Sequence, residues 1–171
     1  MPELTFVCGD KEYVRTQISV ETYRKYTELM EKNTAMAATA ATLFNTEIIK
    51  TVFGISEREV RKADAIEQIT AAKTIHFFMQ EIILPKFLEL NPDRPEMIQK
   101  EKSAFDEYDE ENGYVDKAEE EGELWKSCRD SIDRVIKICV RGFNDSITNV
   151  MQTDIISLLD HVAFEMRTIN E

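Results

Sequence analysis

The sequence predicts a mainly α-helical protein: a helical first module with a small N-terminal β-hairpin (residues 1–90), an acidic linker (residues 91–123) and a small C-terminal helical module (residues 124–171). Three observations predict it. Apolar side chains recur at helical spacing on both sides of a strongly charged middle stretch. Gly9-Asp10 separates two short apolar runs at the start of the chain. The middle stretch itself carries 13 Asp/Glu against 4 Lys/Arg, about three-quarters of a net charge of −12.

The hairpin comes first. Leu4 to Cys8 and residues 13–18 are apolar runs around Gly9-Asp10, a pair suited to a tight turn because glycine reaches positive φ without penalty. A frayed N-terminal arm is the alternative reading of the same residues. Ser19 is placed to cap a helix over residues 20–33, with Val20, Tyr23, Tyr26 or Thr27, and Met30 on its apolar side. The stretch AMAATAATLFNTEIIKTVFG predicts a second helix, rich in alanine, with Leu43, Phe44, Ile48, Val52 and Phe53 on one face and Gly54 ending it. Ser56 and Glu59 have the spacing of a capping box for a short helix reaching about Lys62, and Asp64 caps the helix after it.

That helix, residues 65–90, is the most apolar part of the chain. Ile75, Phe78, Met79, Ile82 and Ile83 fall on one face, and Ile66, Phe77, Leu84 and Leu88 roughly opposite. A helix apolar on two sides is either central in its domain or buries its second side in a partner, a second copy in a homo-oligomer included. Phe77, Leu84 and Leu88 are therefore candidate partner contacts. Pro85 predicts a kink, since it lacks the N–H and crowds the preceding turn.

Pro92 and Pro95 open the acidic run, and Gly113 and Gly122 break it. So much charge buries too little apolar area to offset the entropy of ordering, which predicts a partly disordered or transiently helical linker. An exposed helix over residues 96–108 of a single domain is the alternative. Beyond it, Trp125, Cys128, Ile132, Ile136, Cys139 and Phe143 step by three or four, with Lys126, Asp130, Arg134, Lys137 and Arg141 on the other side. The stripe is strong while the module is short for an independent core. Trp125, Ile132, Ile136 and Phe143 are accordingly candidate partner contacts as well. Ser146 and Asp154 start two further helices. Ser56, Val60, Asp64 and Ile66 repeat the spacing of Ser146, Val150, Asp154 and Ile156, so both modules share a short-helix, long-helix corner.

Composition excludes several functions. Net charge −12 and pI 4.7 oppose nucleic-acid binding by phosphate neutralisation and binding to an anionic membrane surface. No signal peptide or membrane-length apolar run is visible. Cys8, Cys128 and Cys139 form no CxxC and fit a reducing cytosol. His76 and His161 stand outside any ExxH or HxxxH array, so no metal site is predicted. The run DEYDEENG is no calcium loop: counted from Asp106, the third and sixth places are Tyr108 and Glu111, where a ligand and a glycine are needed. There is no GxGxxG and no P-loop. No catalytic residues and no cofactors are predicted, and the chain reads as a non-enzyme.

The order of elements, with SVETYRKYTELMEKN followed by TEIIKTVFGISEREVRKADAIEQITAAKTIHFFMQEII, resembles the tail assembly chaperones of long-tailed, siphovirus-type phages of Gram-positive bacteria. Val52-Phe53-Gly54, residues 56–60 and residues 64–83 carry the match. Residues 125–165 resemble the extension that this family adds in its longer, frameshift-type form. The resemblance implies binding to the tape-measure protein through the first module and recruitment of tail-tube subunits through the second. It also implies action in the host cytoplasm and absence from the mature virion. It carries over modules, with no individual contact residue. A second reading from another class is an acidic DNA mimic or other inhibitory binding protein; a mimic spreads its carboxylates over a rigid surface, whereas here they lie in one run.

Overall fold

The computed structural model describes residues 3–33, 41–90, 117–142 and 144–169. The protein is mainly helical, with a two-stranded antiparallel hairpin at its N-terminus. Strand β1 (Leu4–Cys8) pairs with β2 (Lys11–Arg15), Leu4 opposite Arg15 and Cys8 opposite Lys11. Gly9 has φ +59 in the two-residue turn, as a type II′ hairpin requires. The second strand thus starts and ends earlier than the apolar run at 13–18 predicts, because a two-residue turn sets Lys11 opposite Cys8. Leu4, Phe6 and Cys8 are buried, and Val7 and Val14 face outward.

Helix α1 (Val20–Asn33) starts where Ser19 Oγ accepts from the Thr22 N–H. Helix α2 (Ala41–Phe53) buries Ile48, Ile49, Val52 and Phe53. Ile49 and Thr46 fill the face on which the periodicity also places Leu43, and Leu43 is exposed instead. The short helix α3 (Glu57–Val60) is capped by Ser56. Glu59 does not close the reciprocal half of the box with the Ser56 N–H. Its carboxylate takes the Tyr13 hydroxyl at 2.8 Å, with Lys11 Nζ at 3.5 Å. Asp64 forms a complete capping box with Glu67 at the start of α4 (Ala65–Phe78).

Helix α4 runs into a π-helical turn, Met79–Ile83, and then into α5 (Leu84–Leu90). The proline effect takes this form. Pro85 has no N–H to give to the carbonyl four residues back and its ring crowds that carbonyl; a wider turn just before it relieves both, and the Leu84 N–H bonds to Met79 O.

Helix α6 (Lys117–Gly142) begins inside the stretch predicted as linker. Lys, Ala and Glu dominate residues 117–121 and are good helix formers, so α6 extends in the N-terminal direction past the amphipathic stripe. Residues 91–116, the rest of that stretch, lie outside the described residues. Helices α7 (Ile147–Gln152) and α8 (Ile155–Ile169) complete the fold.

The segments either side of the acidic run meet on one buried cluster. Helix α1 packs on α2, α6 and α7, while α5 reaches α6 and α8. Tyr23 stacks on Phe87, and Tyr26 meets Trp125 edge-on at 5.4 Å. Arg24 bridges Asp133 on α6 at 2.8 Å, Arg129 pairs with Glu31, and Lys86 pairs with Asp160. Backbone joins the two ends as well. The Val20 N–H bonds to Thr153 O at 2.9 Å, and the Ile155 N–H to Ile18 O at 2.8 Å.

The repeated corner is present twice, ninety residues apart, and more fully than four matched residues suggest. Gly54 (φ +67) and Asn144 (φ +58) both adopt the left-handed conformation that lets the chain leave a long helix. Two residues later Ser56 and Ser146 cap the short helices, accepting from the Glu59 and Asn149 N–H at 3.3 and 3.2 Å. Val60 and Val150 are buried. The Ala63 N–H bonds to Val60 O at 3.1 Å, as the Thr153 N–H does to Val150 O at 3.2 Å. Asp64 and Asp154 cap the next helices through the Glu67 and Ser157 N–H. Gly54 is further pinned by the hairpin: Arg15 donates to Phe53 O at 2.8 Å, and a Cβ on Gly54 would lie 3.2 Å from Arg15 Nη2. Gly54→Ala is expected to cost about 1–2 kcal/mol, chiefly from the positive φ; urea unfolding measures it, and an unchanged midpoint would contradict the role given to this glycine.

Candidate functional site

Among the described residues no group of His, Cys, Asp and Glu is placed to hold a metal ion, and no helix is long and apolar enough to cross a membrane. The three cysteines are buried free thiols. Burial pushes the Cys128 thiol up to about 11 and raises Cys139. Both therefore stay protonated near neutrality, the opposite of an activated nucleophile. Tyr23 is raised well above its usual value by burial first and by the adjacent Cys128 second. These shifts make the fold sensitive to alkali. Below pH 9 the Cys128 thiol is protonated in both states. From pH 9 to about 11 the unfolded chain loses the proton and the folded chain keeps it, so stability falls, by about 2–3 kcal/mol in total. Melting temperature against pH should show this decline, and Cys128→Ala should flatten it; an equally steep decline in the variant would assign it to other groups.

The partly buried tyrosine contact with Glu59 behaves differently. Tyr13 is pushed up to about 12, first by donating to the Glu59 carboxylate, and Glu59 is lowered first by that same bond. This pair clamps the hairpin to α3.

What remains is surface. One face of α4 is apolar and uncovered: Ile66 is 75% exposed, Ile69 44% and Phe77 63%. They follow at intervals of three and eight residues, with Thr70 and Lys73 between, and so share one side of the helix. The opposite side carries Gln68, Ala71, Ala72, Ile75 and Phe78 into the core, against β1 and α2. The small alanines let α4 lie close to its neighbours. The large residues are divided between core and solvent because one face of a helix is all that the hairpin and α2 can cover.

The sequence-predicted contacts divide accordingly. Phe77 lies on the exposed face. Leu84 is partly buried against the core. The Leu88 side chain and Phe143 lie outside what the structure describes. Trp125, Ile132 and Ile136 are not surface contacts: Trp125 is fully buried, with Ile132 and Ile136 beside it in the core. The α6 stripe is strong because it packs on α1, where Tyr26 meets Trp125 and shares a 2.7 Å hydrogen bond with His76 Nδ1. The Trp125 Nε1–H and the Tyr23 hydroxyl have no hydrogen-bond partner among the described residues. Among the described residues, the large exposed apolar side chains of the C-terminal segment are instead Ile138, Ile147, Phe164 and Met166. Ile69 joins the α4 face without having been singled out by sequence. Its spacing from Ile66 and Phe77 was the available signal.

The exposed face predicts a separation of effects. Phe77→Ser should shift stability by less than about 1 kcal/mol, because little area is lost from the core. Leu84→Ser should cost about 2 kcal/mol or more, because it removes packing. Thermal melts of the two variants check this, and equal losses would place Phe77 in the core.

Comparisons of the chain with protein-family models, with curated proteins and with solved structures find no match.

Proposed function

We propose that the chain is a tail assembly chaperone of a long-tailed phage, which masks apolar stretches of the tape-measure protein and recruits tail-tube subunits. The observation that carries this reading is the outer face of α4. The residues of the resemblance, Val52-Phe53-Gly54, Ser56, Val60 and those following Asp64, build one corner and launch a helix whose side of Ile66, Ile69 and Phe77 is left uncovered. Apolar residues clustered on a surface suit the temporary covering of another chain's apolar segments. The α6 stripe is spent on α1, so tube subunits would meet the C-terminal segment through exposed residues such as Ile147 and Phe164.

The test uses the full chain, because its two segments share a core. Tagged protein is expressed with the tail genes of a phage of the same type, and co-purifying tape-measure and tube proteins are quantified. Both should be retained. Phe77→Ser should reduce the tape-measure protein several-fold while the melting temperature holds. Retention of neither phage protein would end the reading. Competition with DNA for a basic protein would then support the acidic inhibitor.

A further inference from the structure

The two corners share their caps and spacing, but only the second is occupied. Ile18 adjoins an isolated antiparallel bridge between Ser19 and Asp154 and is held there by two bonds. Its N–H donates to Asp154 Oδ1 at 3.1 Å, and its carbonyl accepts from the Ile155 N–H at 2.8 Å. The N–H and C=O of one extended residue point to the same side, so a carboxylate and an adjacent helix-start N–H can clasp both at once. The helix cap is not sacrificed, since the other Asp154 oxygen serves the Ser157 N–H and hydroxyl. A third bond joins the Val20 N–H to Thr153 O. Ile18 is buried, and Ile156, two residues after Asp154, is only 9% exposed.

The first corner has the same groups at the same spacing. Asp64 gives Oδ1 to the Glu67 N–H at 2.8 Å, and its other oxygen has no partner among the described residues. The Ala65 N–H, the counterpart of the Ile155 N–H, has none either. Ala63 O, the counterpart of Thr153 O, is satisfied by the Gln68 side chain at 3.0 Å. Gln68 thereby supplies the donor that Val20 supplies in the second corner, so the first corner stands without a strand and keeps the two-point clasp open. Ile66, the counterpart of Ile156, is exposed to solvent. The clasp is continuous with Ile66, Ile69 and Phe77 along α4.

We propose that the first corner is a docking site for an extended apolar segment of a partner chain, clasped by Asp64 and the Ala65 N–H as Asp154 and the Ile155 N–H clasp Ile18. The partner residue at the clasp is apolar, with its backbone N–H and C=O unspent, which excludes a segment docking as a regular helix. Its side chains cover Ile66. This chain's own segment of that form, around Ile18, is already committed to the second corner. The inference gives the form of the partner segment and rests on the proposed function only for the partner's identity.

The test is a titration of the isotope-labelled full chain with a capped synthetic peptide, YVRTQISV, which repeats residues 13–20. Saturable amide shifts are expected at Ala65 and Ile66, with Ile155 unmoved. Ala65→Pro is the decisive variant. Proline is tolerated at the first position of a helix, and Asp64 already has the extended backbone that a following proline requires, so the clasp loses its donor and α4 keeps its start. Ala65→Pro and Ile66→Ser should each weaken binding tenfold or more without lowering the melting temperature. A peptide N-methylated at its isoleucine should fail in the same way. Absence of saturable shifts at millimolar peptide, shifts at Ile155 instead, or undiminished binding to Ala65→Pro would each overturn the proposal. So would concentration-dependent dimerisation that Ile66→Ser abolishes, which would assign the corner to a second copy. Retention of the tape-measure protein through Phe77 by a chain that takes no peptide would leave the proposed function standing without this site.

Discussion

Trp125→Ala is expected to destabilise the whole chain by about 3–5 kcal/mol, the range for removing a fully buried large aromatic side chain. The residue is fully buried where α1, α4 and α6 converge, edge-on to Tyr26 and 5.8 Å from the His76 ring. A cavity of this size is not readily filled, since the rings of Tyr26 and His76 that pack on the indole are planar and stiff. The indole N–H has no partner among the described residues, so its removal offsets only a little of the loss. Urea unfolding followed by fluorescence of an introduced probe and by circular dichroism should give one transition, shifted in both signals. A loss below about 1 kcal/mol, or a change confined to the C-terminal helices, would mean that the segments either side of the acidic run hold separate cores.

Asp154→Ala is expected to cost about 2–4 kcal/mol, and Asp64→Ala about 1, although both residues cap a long helix in the same corner. The alanine at 64 removes one N-cap. The alanine at 154 removes a cap and also strands the buried N–H of Ile18, which then pays its desolvation with no acceptor. The loss should be local as well as global: amide exchange at Ile18 and Val20 should quicken in Asp154→Ala and stay unchanged in Asp64→Ala. Equal costs for the two substitutions would show that the contact between Ile18 and Asp154 contributes nothing to stability, and with it the template for the docking corner would fall.

The local features of this protein are legible in its sequence because each depends on residues only a few positions apart. Ser19, Ser56, Asp64, Ser146 and Asp154 announce helix starts, since their side chains reach N–H groups three residues on. Gly9-Asp10 announces the hairpin, and the spacing of Trp125, Cys128, Ile132 and Ile136 announces α6. Even the repeated corner shows as four matched residues, although the left-handed positions at Gly54 and Asn144 complete it only in three dimensions.

The use of each apolar face was decided elsewhere. A stripe such as that of α6 has the same spacing whether it meets another protein or another helix of its own chain, and here α1 covers it. Ile66 and Ile156 occupy equivalent sequence positions, yet one is in solvent and the other buried. Asp64 and Asp154 are equivalent caps, yet only Asp154 also holds Ile18, 136 residues away. By itself the sequence determined the hairpin turn, most helix starts with their capping side chains, and the outline of the repeated corner, because backbone hydrogen bonding and helical periodicity are short-range. Only the tertiary structure decided which apolar faces are spent in the core and which remain for a partner, because burial depends on what long-range packing brings alongside.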